Sequence, residues 1–425
     1  MYFLTDCEIV VLFLQIFVLI SLINNFYLIR IPHFTKKIVL LRSEKRNLVR
    51  PVYITRLSKY LPNDPVSNDE MENILGLING KPSRARLLVL KNNGIKTRYY
   101  ALKDGHRTHT NPQLAATAIK GLFDDKLPIS KLQVLAAGTT SPEQILPSHA
   151  SMVHGELGVG NIEIMAAAGS CCSSMQAFKY AYMSVAGGMA DTAVSCGSER
   201  LSAWLMASRY QSEADSWKEI DKNPYIAFEK DFLRWMLSDG AGAALIQDKP
   251  NESGLSLKVE WIEITSYANE LETCMYSGAV KNKDGSLTGW NDMDVSEWTN
   301  NSVFSLKQDT RLLGENIISK GGDYLKRLMG KYGITANDVD YYLPHMSSEY
   351  FKKEMLEYLQ DIGMDLPEEK WFYNLTRVGN VGSASPYLML EELFHSGRLK
   401  KGEHILVMVP ESARFTYVYL YLTVV

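Results

Sequence analysis

This sequence of 425 residues has few cysteines and a small net charge, and each of these two features excludes a class of protein. Five cysteines cannot build the disulfide framework of a small secreted scaffold, which indicates a reducing compartment. Lysine and arginine number 45 against 48 aspartate and glutamate, so no global basic field favours non-specific binding of nucleic acid. The length predicts two to three domains or one large duplicated fold.

Long apolar runs are also scarce, and the one that stands out is Ile9 to Ile23, broken only by Gln15 and Ser21. A spanning helix needs about 20 apolar residues, so this run is borderline. Acidic residues precede it and basic residues follow, which is unlike a secretory signal; if it inserts, the rest of the chain is cytoplasmic. Residues 1–50 have a net charge of +4, whereas the other 375 have −7. We predict an apolar, basic extension over 1–50, either a membrane anchor through 9–29 or a non-native segment.

Beyond residue 50, strand-like apolar runs alternate with amphipathic helical patterns, which predicts an α/β fold. The predicted strands are 133–137, 162–167, 192–196, 242–246, 339–343 and 404–409. The predicted helices are 111–122, 173–186, 310–332, 348–359 and 386–395. We expect an N-terminal half over 51–250 and a C-terminal half over 251–425. The polar, aperiodic segments 205–235 and 266–305 are interpreted as loops or a cap over a site.

The sharpest local motif is Ala166-Ala-Ala-Gly-Ser-Cys171-Cys172-Ser-Ser, a strand pattern that passes through a small-residue turn into a helical pattern. A thiol at a helix N-terminus faces the positive end of the helix dipole, which lowers its pKa and favours the thiolate. This placement favours a cysteine nucleophile. The alternative is an inert buried cysteine, which is common.

A cysteine nucleophile needs partners, and two polar residues are candidates. His345 follows the strand-like Tyr341-Tyr-Leu-Pro, and sites in α/β folds form at strand ends. Asn380 lies in the small-residue turn Gly379-Asn-Val-Gly-Ser-Ala-Ser, where its amide could face a ligand. A lone histidine is more often structural, and a turn asparagine is commoner than a binding one.

Taken in order, these motifs resemble those of the thiolase-fold condensing enzymes, and most closely beta-ketoacyl-ACP synthase III. The resemblance covers about Val52 to Val425. Further segments match family motifs: Gly-Ile-Lys-Thr-Arg98 for G-I-x-x-R, Gly197-Ser-Glu for G-S-[DE], Ser238-Asp-Gly-Ala-Gly-Ala for G-D-G-A-G-A, Pro344-His for the start of P-H-Q-A-N, and the Asn380 turn for G-N-T-S-A-A-S.

The resemblance implies an α/β thiolase-like fold of two duplicated βαβαβ halves in five layers, α-β-α-β-α, assembled as a homodimer. It implies Cys171 as the acyl-accepting nucleophile, because the family's interval from nucleophile to G-S-[DE] fits Cys171 better than Cys172. His345 and Asn380 would hydrogen-bond the extender thioester. The implied reaction is a decarboxylative Claisen-type condensation of an acyl or β-ketoacyl thioester with an extender on acyl carrier protein (ACP), in fatty acid, polyketide or dialkylresorcinol-type lipid biosynthesis. No metal or cofactor is implied, since substrates are carried on ACP phosphopantetheine or CoA.

The sequence departs from the family at three places. The Gly-rich loop that supplies the second oxyanion amide is replaced by Pro410-Glu-Ser-Ala-Arg-Phe, so Arg414 and Phe415 become the candidate oxyanion-loop residues. Leu88 and Asn92 stand where the family has its CoA-binding Trp and Arg, which favours ACP over CoA as donor. Leu146 stands where a Phe lines the partner's acyl pocket, which predicts a longer or wider acyl group. These departures resemble a subgroup of dialkylresorcinol and flexirubin-type pigment pathways.

The alternative functions differ in the catalytic residues that each requires. A biosynthetic thiolase requires a second catalytic cysteine near the C-terminus, and no cysteine follows Cys274. A non-condensing acyltransferase of the same fold, forming esters or amides, remains the enzymatic alternative. A non-catalytic subunit that binds acyl carrier protein remains the alternative from another class, although such a subunit would not need the Cys171, His345 and Asn380 set.

Overall fold

Nine strands of a single mixed sheet form the framework of the protein in a computed structural model that describes residues 49–83, 86–209 and 233–425. The strands are β1 Tyr53–Tyr60, β2 Val134–Thr139, β3 Glu163–Ala168, β4 Thr192–Glu199, β5 Gly240–Gln247, β6 Leu257–Ser266, β7 Tyr341–Pro344, β8 His404–Glu411 and β9 Thr416–Val424. Their spatial order is β7-β8-β9-β6-β1-β5-β4-β2-β3. The predicted apolar extension lies outside the described residues.

The strand order repeats within the sheet. In the N-terminal part, β3-β2-β4 are parallel and β4-β5-β1 antiparallel; in the C-terminal part, β7-β8 are parallel and β8-β9-β6 antiparallel. A parallel bridge between Tyr342 and Trp371 lies beside β7, where the repeat would place the counterpart of β3. Within the sheet, the two parts join through two residue pairs of β1 and β6. The boundary between the halves near residue 250 stays a prediction.

Six long helices cover the strands: α1 Asn111–Lys120, α2 His149–Leu157, α3 Ser173–Ala186, α4 Thr310–Tyr332, α5 Lys352–Asp361 and α6 Ser385–His395. Side chains of α3 and α6 pack between the two sets of strands in one apolar core. Those of α1 and α2 cover the outer face of the N-terminal strands, and those of α4 and α5 cover the outer face of the C-terminal strands. The order is α-β-α-β-α, which confirms the predicted thiolase-like fold class.

Local chemistry explains why these helices begin where they do. Thr110 and Gln113 form a capping box at the start of α1, and the Asp309 carboxylate accepts from the Leu312 N–H at the start of α4. Gly333 ends α4 in the left-handed conformation at φ +66°, which a glycine adopts without strain.

Short elements complete the described residues. The short helices are Met71–Leu75, Arg86–Asn93, Ser202–Leu205, Val295–Asn300 and Leu375–Val378. Two-stranded pairs join Val66–Ser67 with Thr97–Arg98, Leu102–Lys103 with His106–Arg107, Met275–Tyr276 with Lys307–Gln308, and Ala279–Lys281 with Leu287–Gly289. The predicted polar segment 266–305 therefore holds short strands and a helix, whereas most of 205–235 lies outside the described residues. Within the described part of the chain, no helix is long and apolar enough to cross a membrane.

Candidate active site

Cys171 lies in the tight turn between β3 and α3. The strand ends at Ala168, and the helix begins two residues after Cys171. The side chain is buried, and its thiol accepts a hydrogen bond from the Ser170 hydroxyl at 3.8 Å. Among the described residues, the Cys171 N–H meets no acceptor other than its own thiol, so it can donate to a substrate oxygen. This N–H is the first oxyanion donor expected from the resemblance.

The predicted low pKa of the Cys171 thiol is wrong. Burial, together with the nearby Glu411 and Glu199 carboxylates, raises the pKa of the thiol to about 12. The position before α3 matches the prediction, but burial of the thiolate raises the thiol pKa by more than the helix dipole lowers it. The resting nucleophile at neutral pH is therefore a thiol.

His345 is the first residue after β7, as expected from the strand pattern that Pro344 ends. Its N–H donates to the Met408 carbonyl at 2.8 Å, which ties it to the neighbouring strand. Neither ring nitrogen has a hydrogen-bond partner among the described residues, and burial lowers the imidazole pKa to about 4. The ring is therefore neutral at neutral pH, with one nitrogen able to donate.

Asn380 is held in its turn by both backbone and side chain. Its N–H donates to the Met236 carbonyl, and its carbonyl accepts from the Ser238 N–H, each at 2.9 Å. The side-chain Oδ1 accepts from the Gly382 N–H at 2.9 Å. This bond sets the orientation of the amide and leaves its NH₂ group as the end without a protein partner in the described residues. Asn380 therefore presents a donor.

One cavity brings these residues together, because Cys171, His345 and Asn380 all line its wall. Most of the remaining lining consists of leucine, isoleucine, methionine and aromatic side chains. Met275 and Leu306, at the borders of the predicted cap, also line it. Among the described residues, no three His, Cys, Asp or Glu side chains group as a metal site would. The arrangement offers a thiol and neutral donors to an apolar substrate.

The other predicted site residues lie elsewhere. Phe415 has a positive φ of 57° in the hairpin between β8 and β9, and its side chain is fully buried in the core. The Arg414 guanidinium points outward and donates to the Leu271 carbonyl. Neither lines the cavity, so their expected role as oxyanion residues is not supported; Ser412 of the same hairpin does line it. Leu146 is 82% exposed and does not line the cavity of its own chain.

Glu411, at the end of β8, is a site residue that the motifs missed. Its buried carboxylate accepts from the backbone N–H groups of Ser170 and Cys172 at 3.2 and 3.1 Å. It therefore caps the turn that carries Cys171, and each such charge-assisted bond contributes about 1.5–3 kcal/mol. Glu411 occupies a position in the segment that replaces the family's glycine-rich loop. An acidic residue at this position was the sequence feature that could have indicated a role near the site.

Glu199 joins the turn of Asn380 to the end of β2. Its buried carboxylate accepts from both the N–H and the hydroxyl of Thr140, Ser141 and Ser383. Gly197 lets the two segments approach, since a Cβ there would lie 2.4 Å from the Ser383 carbonyl. The motif Gly197-Ser-Glu is visible in the sequence. The residues that donate to Glu199 are distant along the chain, so only the folded structure identifies them.

Known proteins are similar to this chain in sequence. The profile of the family described as 3-Oxoacyl-[acyl-carrier-protein (ACP)] synthase III C terminal matches residues 329–410, which include His345 and Asn380. Beta-ketoacyl-[acyl-carrier-protein] synthase III from Rickettsia felis is 24% identical over 347 residues, covering 82% of this chain and 92% of the relative. The same enzyme from Clostridium perfringens is 22% identical over 352 residues, with the same coverage.

Solved structures agree on the fold. The tetronic acid condensing enzyme AbyA1 superimposes with a TM-score of 0.70 at 19% identity, covering 88% of this chain and 99% of that one. 3-Oxoacyl-[acyl-carrier-protein] synthase III from Aquifex aeolicus gives 0.62 at 18% identity, with the same coverage. The chain is similar in sequence to beta-ketoacyl-ACP synthase III and shares the thiolase fold. OleA from Xanthomonas campestris, with a TM-score of 0.65 at 18% identity over 88% of this chain and 98% of that one, shares the fold as well.

Alkylation of Cys171 in the synthase III-like protein is expected to accelerate with pH and to show no plateau near neutrality. Thiolate is the reactive species, and with a pKa of about 12 its fraction rises roughly tenfold per pH unit. The Glu411→Gln variant lacks a charge that raises this pKa and is expected to react faster at each pH. Peptide-resolved mass spectrometry after an iodoacetamide pulse measures both rates. A plateau near neutral pH in the unsubstituted protein contradicts the raised pKa.

Proposed function

We propose that the protein is an acyltransferase that catalyses a decarboxylative Claisen-type condensation of an acyl or β-ketoacyl thioester with an extender on acyl carrier protein. The observation that carries the proposal is the convergence of Cys171, His345 and Asn380 on one apolar cavity. The nucleophile comes from the N-terminal strands and the two donors from the C-terminal part. The family relatives support the same chemistry.

In the first half-reaction, the Cys171 sulfur attacks the carbonyl carbon of the primer thioester. The carbon–sulfur bond to Cys171 forms, the bond to the carrier thiol breaks, and the cysteine proton leaves with that thiol. The negative charge on the carbonyl oxygen is stabilised by the Cys171 N–H, with the Ser412 N–H as a second donor from the hairpin that borders the cavity. Because the raised pKa keeps the buried thiol protonated, we expect acylation to be slow at low pH.

In the second half-reaction, the extender thioester lies with its carbonyl oxygen between His345 and Asn380. Loss of CO₂ leaves an electron pair on the adjacent carbon as an enolate. The imidazole N–H and the Asn380 NH₂ group donate to the enolate oxygen, where charge develops. The enolate carbon attacks the acyl carbon on Cys171, and the cysteine sulfur leaves and regains a proton. Because both donors are neutral and buried, they need no solvent reorganisation.

The partners belong to the proposal. Acyl carrier protein is the expected carrier of the extender and primer, as the replacement of the CoA-binding residues at Leu88 and Asn92 suggests. We also propose a homodimer through β3, an edge strand of the described sheet on which Ile164 is exposed, since such an edge pairs readily with a second copy. A light-scattering mass of a single chain contradicts the dimer.

Within this reaction class, a role in dialkylresorcinol or flexirubin-type pigment synthesis is the narrower proposal. The departures from the family at Leu146 and in the 410–415 hairpin support it. A cytoplasmic location, with or without membrane contact through residues 9–29, remains the prediction of the sequence.

Product identification tests the proposed function. The protein is incubated with acyl or β-ketoacyl thioesters and ¹⁴C-labelled malonyl-ACP, and products are identified by mass spectrometry. We expect release of labelled CO₂ and a chain-extended β-keto product. An ester or amide formed without CO₂ release would identify the non-condensing acyltransferase instead. Absence of any acyl-enzyme would leave only the binding subunit.

A further inference from the structure

Two segments of the chain meet at the reactive cysteine, and Glu411 joins them. One segment is the turn Ser170-Cys171-Cys172, and the other is the hairpin between β8 and β9. Cys171 lines the cavity on the side of the turn, and Ser412, the residue after Glu411, lines it on the side of the hairpin. The proposed acylation takes one oxyanion donor from each segment. Its rate therefore depends on how the turn is held against the hairpin.

The Glu411 carboxylate binds two of three consecutive N–H groups in the turn. A single oxygen, Oε2, accepts from the Ser170 N–H at 3.2 Å and from the Cys172 N–H at 3.1 Å. The Cys171 N–H, which lies between them in the chain, makes no hydrogen bond to Glu411. Because both neighbouring N–H groups are directed at the carboxylate, the Cys171 N–H is the group that remains for a substrate oxygen.

A second contact holds the same turn to the same hairpin. The buried Cys172 thiol lies 3.2 Å from the Val409 carbonyl on β8 and 3.5 Å from the Thr416 carbonyl on β9. A thiol is a weak donor with one hydrogen, so it serves one of these carbonyls at a time. The two hydrogen bonds to Glu411 are charge-assisted and therefore form the stronger contact.

The charge of Glu411 is unfavourable in other respects. Among the residues that the structure describes, no cationic side chain pairs with this buried carboxylate, and burial of an unpaired charge costs free energy. Burial, together with this charge, also raises the pKa of the Cys171 thiol, which opposes nucleophilic attack. A neutral amide could accept the same two hydrogen bonds without either effect. What the carboxylate adds is stronger bonds to the two N–H groups.

We propose that Glu411 is a positioning residue for acyl transfer, which directs the Cys171 N–H at the carbonyl oxygen of the bound thioester and holds it beside the Ser412 N–H. Negative charge develops on that oxygen as the Cys171 sulfur bonds to the carbonyl carbon, and the two N–H groups stabilise it. Glu411 acts through the turn, since it does not line the cavity. The proposal rests on the proposed acylation of Cys171.

A comparison of acylation with alkylation of Cys171 tests this role. Acylation by hexanoyl-N-acetylcysteamine passes through an oxyanion, whereas alkylation by iodoacetamide does not, and both reactions use the thiolate. Single-turnover rates of mass increase on the Cys171 peptide are measured at one pH for both reagents. The ratio of acylation to alkylation cancels the effect of the thiol pKa and reports on the oxyanion donors. A general disturbance of the site would slow both reactions.

Three substitutions separate the charge of Glu411 from its hydrogen bonds. Glu411→Ala lacks both, so alkylation should accelerate while the ratio of acylation to alkylation falls about 10²-fold, as when an oxyanion donor is lost. Glu411→Gln keeps an acceptor and should recover most of that ratio. Glu411→Asp keeps the charge on a shorter side chain, so alkylation should stay within about twofold while the ratio falls about tenfold. The half-saturating thioester concentration should change by less than about twofold throughout, because the donors act on the oxyanion.

Asp340→Ala is the matched control, because the Asp340 carboxylate accepts from the His404 N–H at 2.7 Å at the other end of β8. This variant should change neither rate. An unchanged ratio in folded Glu411→Ala overturns the positioning role, whether the two rates rise or fall together. If circular dichroism shows that Glu411→Ala does not fold, an unchanged ratio in Glu411→Asp overturns it. Absence of any acylation of Cys171 in the unsubstituted protein overturns the proposed function and the positioning role together.

Discussion

Replacing Cys171 by alanine is expected to abolish formation of the acyl-enzyme and to lower condensation by about 10³-fold or more, because no other cysteine is among the described residues that line the cavity. The measurement is intact-protein mass spectrometry after incubation with acyl-ACP, followed by mapping of the labelled peptide.

Cys172→Ser is the matched control for this prediction. Cys172 is equally buried, but its thiol donates to the Val409 carbonyl at 3.2 Å and does not line the cavity. The Cys172→Ser variant is expected to retain acylation, since the serine hydroxyl can donate to the same carbonyl. Label recovered on Cys172 or Cys196 would assign the nucleophile elsewhere.

The His345→Ala and Asn380→Ala variants are expected to separate the two half-reactions. Condensation should fall by about 10²–10³-fold in each, the usual loss when one preorganised donor is removed. Acylation of Cys171 should stay close to normal, because neither donor is assigned to that step. Single-turnover acylation and release of labelled CO₂ from malonyl-ACP are measured on the same samples.

Asn380→Asp sharpens the second test. A carboxylate keeps the acceptor for the Gly382 N–H and so preserves the turn, but it lacks the NH₂ donor and adds a charge beside the developing enolate. It should therefore condense no faster than Asn380→Ala. Condensation at the normal rate in His345→Ala and Asn380→Ala would refute the assigned donor roles.

Much of the fold was predictable because its periodic patterns are long. The predicted helices 173–186 and 310–332 coincide with α3 and α4, and every predicted strand overlaps an observed one with ends displaced by no more than three residues. Strong amphipathic periods and caps such as Asp309 carry this information locally. Strand ends were less predictable because pairing with a neighbour, not the residue itself, decides where a ladder stops.

Some features of the candidate site were also predictable from the sequence, and others were not. The places of Cys171, His345 and Asn380 at a helix start, a strand end and a turn follow from short motifs in order. The protonation of the thiol could not follow from them, because burial and the charge of Glu411, 240 positions away, act against the helix dipole. The hairpin residues Arg414 and Phe415 do not line the cavity, because turn geometry decides which residues of the hairpin face it.

By itself, the sequence determined the fold class and predicted three candidate site residues and their order along the chain, because these depend on local periodicity and on short motifs. Only the tertiary structure decided that Cys171, His345 and Asn380 share a cavity and that Glu411 and Glu199 hold the segments around them. Those features arise from contacts between residues far apart in the chain, and each such contact exists only after the layers have packed.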